Sequence, residues 1–224
     1  MFDSFRFCHS SKKVFQKMFH LLQKIPQKIL IACSGGVDSM VALDFVSRNS
    51  NRQIGILHIN HGTDHGKIAN EFVHHIADKY NKELFVHTIS QTKPKNESWE
   101  EFWRNERYRF FHSFSDPVIS AHHLQDCVEW YVLSSLRGCS KLISVNNQNV
   151  IRPFLLCSKS EFINWSIRKN LEFVQDESNF ENVHDRNIVR NEMMKTILKI
   201  NPGIEKTVKK LLLKREQEMR NKNV

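Results

Sequence analysis

The sequence feature that most constrains the fold is a short apolar run, residues 29–32, which ends in a turn rich in serine and glycine. The run is brief, uncharged and rich in β-branched residues, which predicts a buried strand. The turn that follows consists of Ser34, Gly35, Gly36, Val37, Asp38 and Ser39. Glycines lack a Cβ, so the chain can turn sharply and its backbone can approach a ligand. With a helix predicted over 37–48, the turn forms a cradle of backbone N–H groups for an anion.

Predicted strands and helices alternate along the chain. The strands are expected at 28–33, 53–60, 83–89, 117–121 and 150–151, with a turn at 146–149. The helices are expected from Ser10 or Ser11 to about Gln23, and at 37–48, 67–80, 99–114 and 123–137. This alternation predicts a doubly wound α/β fold with a mostly parallel, five-stranded sheet and a helical C-terminal extension. We expect a main domain over 1–200 and a basic helical extension over 201–224.

The composition narrows the class of protein. The 224-residue chain carries a formal charge of +9, which favours nucleic acid or another polyanion as partner; a merely basic surface is the open alternative. The five cysteines form no C-x-x-C pair, which predicts reduced thiols and no cysteine-based metal site. No apolar run of about 18 residues is present, so we expect a cytoplasmic protein without a membrane span.

Polar residues follow two of the predicted strands. The segment 58–62 (HINHG) ends the second strand, and His122 lies where the fourth strand passes into a helix. On that helix Asp126 and Glu129 are three residues apart, so they project from the same side. A histidine beside two carboxylates can orient an ammonium group, help to hold Mg²⁺ or assist a proton transfer. A zinc site is the less favoured alternative, because no cysteine has the spacing of a zinc ligand.

Several arginines are spaced as phosphate ligands would be. On the helix predicted over 99–114, one polar stripe consists of Glu100, Arg104, Arg107 and Tyr108. Arginine forms bidentate bonds with phosphate, tyrosine offers a face for stacking, and Glu100 is placed to pair with Arg104. Arg186 and Arg190 are four residues apart on one helical face, and Arg137 lies at a predicted helix end. An ordinary solvated helix face explains the stripe equally well.

The Ser-Gly-Gly-x-Asp-Ser turn resembles the pyrophosphate loop of the ATP pyrophosphatases, which split ATP into AMP and pyrophosphate. Over roughly 28–202 the chain resembles one family of that class, the tRNA(Ile)-lysidine synthetases. Their fold is Rossmann-like, of the adenine-nucleotide alpha-hydrolase type. The segments that carry the resemblance, in order, are 34–39, 58–62, Glu100, Arg104, Arg107, Tyr108, 121–123, Asp126, Glu129, 136–138, 151–153, 176–179, 186–187 and 201–202.

The resemblance implies ligation of lysine to the wobble cytidine of an isoleucine tRNA with a CAU anticodon. ATP would adenylate the C2 oxygen of the base with release of pyrophosphate, and the lysine amine would then displace AMP. The implied substrates and partners are ATP, L-lysine and tRNA(Ile), with Mg²⁺ as the metal. The oligomeric state stays open, a homodimer included.

The resemblance also implies a role for each matched residue. The loop residues Ser34, Gly35, Gly36, Val37, Asp38 and Ser39 would bind ATP, with Asp38 beside the Mg²⁺ ion. The catalytic group would consist of Asp38, His122, Asp126 and Glu129, of which Asp126 and Glu129 serve lysine or the metal. The contacts to nucleotide or tRNA would come from Glu100, Arg104, Arg107, Tyr108, Arg137, Arg186 and Arg190.

The chain departs from the family's usual pattern at four places. Gln125 and Gln175 stand where the family usually has acidic residues, Cys127 stands where it has glutamine, and 63–64 (TD) replaces Leu-Arg. These changes leave two rival interpretations. A thiolase-like tRNA-modifying enzyme is weakened by the absence of a C-x-x-C pair, and a non-catalytic RNA-binding relative is opposed by the intact Ser-Gly-Gly-x-Asp-Ser loop.

Overall fold

The computed structural model describes residues 19–48, 51–175 and 185–222. Within these residues one sheet contains six strands in the order β3-β2-β1-β4-β6-β5. The strands are β1 (Lys28–Ala32), β2 (Gln53–Asn60), β3 (Glu83–Thr88), β4 (Val118–Ile119), β5 (Asn146–Asn147) and β6 (Val150–Ile151). All pair in parallel except β5, which is antiparallel to β6. The doubly wound, mostly parallel fold is confirmed, with one strand more than the sequence predicted.

The helices cover both faces of this sheet. They are α1 (Val37–Arg48), α2 (Asp64–Tyr80), α3 (Trp99–His112), α4 (Leu124–Leu136), α5 (Lys159–Lys169), α6 (Asp185–Ile188), α7 (Met194–Ile200) and α8 (Ile204–Lys222), with a π-helical turn at Val189–Met193 between α6 and α7. Helix α2 begins three residues earlier than predicted because the Thr63 hydroxyl accepts a hydrogen bond from the Gly66 N–H at 3.1 Å. A side-chain cap of this kind satisfies one of the free N–H groups of the first helical turn.

Two local predictions are wrong. Residues 19–23, the predicted end of the first helix, are not helical, and the rest of that helix lies outside the described residues. Phe19 is buried in the core and the Leu22 N–H donates to the Pro153 carbonyl at 2.8 Å, so tertiary contacts override local helix preference. The predicted turn 146–149 contains the two-residue strand β5, whose Asn147 pairs with Val150.

The position of β1 decides where a ligand can bind. Strands β2 and β3 follow on one side of it, and β4 and β6 lie on the other. Doubly wound sheets bind ligands beyond the carboxyl ends of the strands at such a reversal of strand order. The glycine-rich turn after β1 and the segment 120–123 after β4 both lie at this edge. The fold therefore brings together two segments that the sequence separates by about 85 residues.

A shared network fixes the start of α5 relative to α1. Aromatic rings pack together between these helices and the sheet, namely Phe19, Phe45, Phe154, Phe162 and Trp165. The buried Asp44 carboxylate of α1 accepts hydrogen bonds from the Trp165 indole at 2.8 Å and from the Tyr80 hydroxyl at 2.9 Å. A buried carboxylate with several donors rigidifies the groups around it. The N-terminus of α5 is thereby held close to that of α1.

Helix α8 packs against α4. Val208 and Leu212 are fully buried in a cluster that includes Val128 of α4. The Arg215 guanidinium donates to the Ile143 carbonyl at 2.6 Å, which ties the same helix to the loop after α4. The division at residue 200 stays a prediction. In the part of the chain described, no helix is both long and apolar enough to cross a bilayer.

Candidate nucleotide-binding site

The loop between β1 and α1 has the conformation of an anion cradle. Gly35 has φ +86°, and a Cβ at this position would lie 3.2 Å from Cδ1 of Phe72. The Ser39 hydroxyl donates to the Gly36 carbonyl at 2.8 Å and accepts from the Ser34 N–H at 3.2 Å. Both serines therefore shape the loop. The first N–H groups of α1 have no acceptor within the helix, so they and the helix dipole face the crevice.

Asp38, in the first turn of α1, forms an ion pair with Lys159. Both oxygens of the Asp38 carboxylate accept hydrogen bonds from the Lys159 ammonium group, at 2.6 and 2.7 Å. His123 Nε2 lies 3.6 Å from Oδ2 of the same carboxylate. Burial alone would raise the pKa of Asp38, but the hydrogen bonds and positive charges of His123 and Lys159 outweigh it and lower that pKa. Asp38 is therefore ionised at neutral pH.

Lys159 is a site residue that the sequence analysis missed. It is the first residue of α5, and the preceding Ser158 accepts from the Glu161 N–H while donating its own N–H to the Glu161 carboxylate at 2.6 Å. A serine followed three residues later by glutamate is a signal for a helix start. That signal at 158–161, just after the last predicted strand, would have placed a lysine at the carboxyl edge of the sheet.

The two neighbouring histidines differ in their contacts. His122 Nδ1 lies 2.7 Å from the Ser120 hydroxyl. Burial lowers the pKa of His122 to about 3, and the nearby Arg152, Arg186 and Arg107 act in the same direction. His123 is buried, and its backbone N–H donates to the Asp126 carboxylate at 2.8 Å. At neutral pH His122 is thus a neutral imidazole, suited to hydrogen bonding rather than to holding a proton.

Asp126 and Glu129 form one ionic cluster with Arg186 and Arg190. Arg186 donates from Nη2 to Asp126 at 2.6 Å and from Nε to Glu129 at 3.1 Å. Arg190 donates two hydrogen bonds of 2.8 Å to the two oxygens of Glu129. Burial would raise the pKa of Asp126, but His123, Arg186 and His122 lower it well below the usual range of a carboxyl group. The acids and arginines that the sequence analysis assigned to separate roles therefore neutralise one another.

Two cavities open on the glycine-rich loop. The smaller, about 200 Å³, is lined by the carboxyl ends of β1, β2 and β4 together with Arg107, His122 and Asp126. The larger, about 990 Å³, is lined by α1, α4 and α5, with Glu129 and Arg190 among its charged groups. Ser34 and Asp38 belong to both linings. Of the predicted catalytic residues, each therefore lines at least one cavity.

The residues predicted to contact nucleotide or tRNA differ in whether they line these cavities. Arg107 lines the smaller one. Tyr108 accepts a hydrogen bond of 2.5 Å from Arg152, and the Arg104 guanidinium lies 5.6 Å from the centre of the Tyr108 ring. The spacing of Glu100 and Arg104 allows an ion pair, but among the described residues neither side chain takes part in a salt bridge. Arg104 instead contacts the Tyr108 ring. Arg137 is bonded to Asp185 at 2.5 Å, outside both linings.

Gln125 and Gln175, which stand where the resembled family usually has acidic residues, both lie near the loop. Gln125 accepts a hydrogen bond from the Lys159 N–H at 2.7 Å and donates one of 2.6 Å to Glu205 of α8. Gln175 lines the larger cavity. The matched segment 176–179 lies outside the described residues. In the described ranges no three His, Cys, Asp or Glu side chains converge as metal ligands, so the zinc alternative gains no ligand set there.

A glycine-rich loop and helix start at the strand reversal of a doubly wound sheet define a class of protein, the α/β proteins that bind phosphate groups at this edge. A protein-family model described as a PP-loop domain matches residues 8–197. The chain belongs to the PP-loop family.

Proteins of known function or structure resemble this chain in sequence or in fold. The chain is similar to proteins named tRNA(Ile)-lysidine synthase from Francisella tularensis (27% identity over 197 residues, 82% of this chain and 49% of the relative) and Thermosipho africanus (29% over 215 residues, 88% and 50%). It thus spans about half the length of the curated relatives it matches. A U34-tRNA thiolase structure from Methanococcus maripaludis superposes with a TM-score of 0.72 at 14% identity, covering 91% of this chain and 78% of that one, which shows a shared fold.

Proposed function

We propose that the protein ligates L-lysine to the wobble cytidine of a CAU-anticodon isoleucine tRNA, using ATP and acting in the cytoplasm. The observation that carries this proposal is the position of Asp38. It lies at the start of α1, at the strand reversal, and it lines both cavities. A reaction that joins a nucleotide, a base and an amine needs adjoining compartments around one phosphate-binding loop. The names of the curated relatives support the same choice of substrates.

The loop residues would bind the triphosphate of ATP. Backbone N–H groups of Gly35, Gly36 and the first turn of α1 favour negative charge, and the helix dipole adds to them. Mg²⁺ is usually held by one or two carboxylates together with substrate phosphates, and a single ionised carboxylate at Asp38 fits that mode. When bound, the ion would offset charge on the phosphates. Lys159, which pairs with Asp38 in the absence of ligand, would then form charge-assisted hydrogen bonds with a phosphate oxygen.

The proposed chemistry has two displacement steps. The C2 oxygen of cytidine attacks the α-phosphorus of ATP, and the bond to pyrophosphate breaks. The ε-amine of lysine then attacks C2, and the C2–O bond breaks with release of AMP. The lysine ammonium must lose one proton before this attack and a second one as AMP leaves. Positioning of the reacting groups supplies much of the acceleration in such reactions.

The ionic cluster would hold the lysine ammonium. Glu129 lines the larger cavity and Asp126 the smaller one, so the two carboxyl groups extend from one compartment to the other. Their present partners Arg186 and Arg190 would turn toward phosphates of ATP or tRNA when an ammonium group replaces them. His122, neutral at physiological pH, would donate or accept a hydrogen bond at the base. Arg104, Arg107, Tyr108, Arg137 and Glu100 would contact the tRNA around this opening.

The test is transfer of labelled lysine to a CAU-anticodon isoleucine tRNA transcript in the presence of ATP and Mg²⁺. We expect labelling that disappears when the wobble cytidine is changed to uridine and when Asp38 is changed to Asn. Asp126→Asn should lower the rate of lysine transfer more than the rate of tRNA-dependent pyrophosphate release. Normal lysine transfer by Asp126→Asn would refute its assigned role.

The same assay separates the rival functions. Gln125 and Gln175, which stand in place of acids, favour a non-catalytic RNA-binding relative, and that function predicts tRNA binding without pyrophosphate release. A thiolase-like enzyme predicts pyrophosphate release that depends on tRNA and is indifferent to lysine. Lysine-dependent labelling excludes both.

A further inference from the structure

An exposed aromatic surface lies at the start of α3. Trp99 is 51% exposed to solvent, which is high for so large an apolar side chain. Its ring centre lies 5.5 Å from that of Trp103, at an interplanar angle of 36°. The Trp103 ring in turn lies 5.2 Å from His61, which follows β2. The three rings form a continuous path, which we call the aromatic track.

The aromatic track leads into the smaller cavity. Trp99, Trp103 and Arg107 are spaced four residues apart, so they follow one face of α3 over about 12 Å at a rise of about 1.5 Å per residue. Both Arg107 and His61 line the smaller cavity. One end of the track is therefore at the surface, and its other end is at the predicted site of chemistry.

Core packing does not account for Trp99. In the same helix Phe102 and Phe111 are core residues, each 4% exposed, whereas Trp99 in the first turn is 51% exposed. Trp99 contacts Phe102 only edge-on, at a ring separation of 6.0 Å. A residue whose role is burial would not leave half of its surface in water, whereas an aromatic binding residue does so until its ligand arrives.

Cations flank the track. The Lys93 ammonium lies 5.6 Å from the centre of a Trp99 ring, and Arg104 and Arg107 project from the following turns of α3. Aromatic faces that alternate with basic side chains are the arrangement by which proteins bind single-stranded nucleic acid. About 12 Å corresponds to three or four nucleotides stacked at about 3.4 Å each.

We propose that Trp99 and Trp103 form a stacking platform for unpaired bases of an RNA loop, next to the base that enters the smaller cavity. This inference rests on the proposed function in one respect, that the substrate is RNA. The bases stack on the solvent-accessible parts of the two indole rings, and Arg107 contacts the backbone where the strand enters the cavity. The platform thus holds the nucleotides that adjoin the reacting one.

The experiment uses an anticodon stem-loop RNA whose CAU adenine is replaced by the fluorescent analogue 2-aminopurine. The full chain is titrated into this RNA, and both affinity and quenching of the analogue are recorded. We expect quenching by the unsubstituted protein. Trp99→Ala should bind about 5- to 150-fold more weakly with little quenching, the range given by loss of one stacking contact. Trp99→Phe should retain most of both. Met219→Ala on α8, equally exposed at 51%, is the matched control and should behave as the unsubstituted protein.

The outcomes separate this proposal from the proposed activity. Unchanged affinity and quenching in Trp99→Ala overturns the platform, even if lysine transfer is normal. Quenching that depends on Trp99 in a protein that transfers no lysine establishes the platform and refutes the ligation. A protein that binds the stem-loop without quenching also overturns the platform. Trp99→Leu, which keeps apolar bulk without a ring, replaces Trp99→Ala if that variant does not fold.

Discussion

Replacing Glu129 with Gln tests the ionic cluster most directly. The substitution keeps the shape of the side chain but removes the charge that accepts two hydrogen bonds of 2.8 Å from Arg190 and one of 3.1 Å from Arg186. The Glu129 side chain is 6% exposed, whereas those of Arg186 and Arg190 are 26% and 36% exposed. Glutamine can satisfy part of this geometry, yet two guanidinium groups are left short of negative charge.

The expected loss of stability follows from that burial. Breaking a fully buried ion pair costs about 3–5 kcal/mol, and a surface pair contributes about 0.2–1 kcal/mol. Because water reaches both arginines, we expect about 2 kcal/mol, between these limits. For a chain of this size that corresponds to a decrease in Tm of about 4–8 °C. The measurement is thermal and urea unfolding of the protein without ligands.

A double-mutant cycle with Arg190→Met shows whether the loss belongs to this contact. We expect the paired substitutions to be less destabilising than the sum of the single ones by at least about 0.5 kcal/mol, as for residues in one ionic network. The reasoning would be refuted by additive effects, or by a Glu129→Gln variant that unfolds at the original temperature. The same variant should raise the KM for lysine in the transfer assay.

Three further predictions concern single positions. Gly35→Ala should destabilise the protein by about 1–2 kcal/mol, since φ is +86° and the new Cβ meets Phe72, and it should weaken ATP binding in equilibrium titrations. The pKa of His122 is lowered to about 3 in the folded protein, so below a pH of about 6.5 the unfolded chain binds one proton that the folded protein does not. The free energy of unfolding should therefore decrease as pH falls from about 6 toward 3, by up to about 1.4 kcal/mol per pH unit. His122→Asn should flatten this slope in urea unfolding at several pH values. Gln125→Glu should lower Tm because it sets a carboxylate against Glu205 in place of a 2.6 Å hydrogen bond, and a compensating Glu205→Gln should restore it.

The elements that local pattern determines were predicted correctly. Helix α1 has the predicted bounds, Val37–Arg48, because a glycine turn precedes it and a run of buried, mostly apolar side chains over 39–46 lies within it. The parallel sheet follows from the alternation of strands and helices. Strand β5 was missed because two asparagines carry a turn signal, and only pairing with β6 makes them extended.

The sequence identified several residues that the structure brings together, but it identified neither Lys159 nor the contacts among these residues. The spacing of Asp126 and Glu129, and separately of Arg186 and Arg190, is visible along the chain as a helical period. That these two pairs meet depends on how the segment 185–193 packs against α4, which no local pattern encodes. The Lys159–Asp38 pair likewise depends on α5 being fixed against α1 by buried aromatic rings and Asp44.

The wall that the two cavities share has a thermodynamic consequence. Ser34 and Asp38 face both compartments, and Lys159 from the side of the larger one binds the Asp38 carboxylate. A ligand that draws Lys159 away from Asp38 in one compartment changes the charge that faces the other. Linkage requires the effect to be mutual, so whatever factor the ligand of one compartment introduces into the affinity for the ligand of the other, the second ligand must introduce into the affinity for the first. The two compartments are then energetically coupled, with Asp38 as the residue through which occupancy of one changes the affinity of the other.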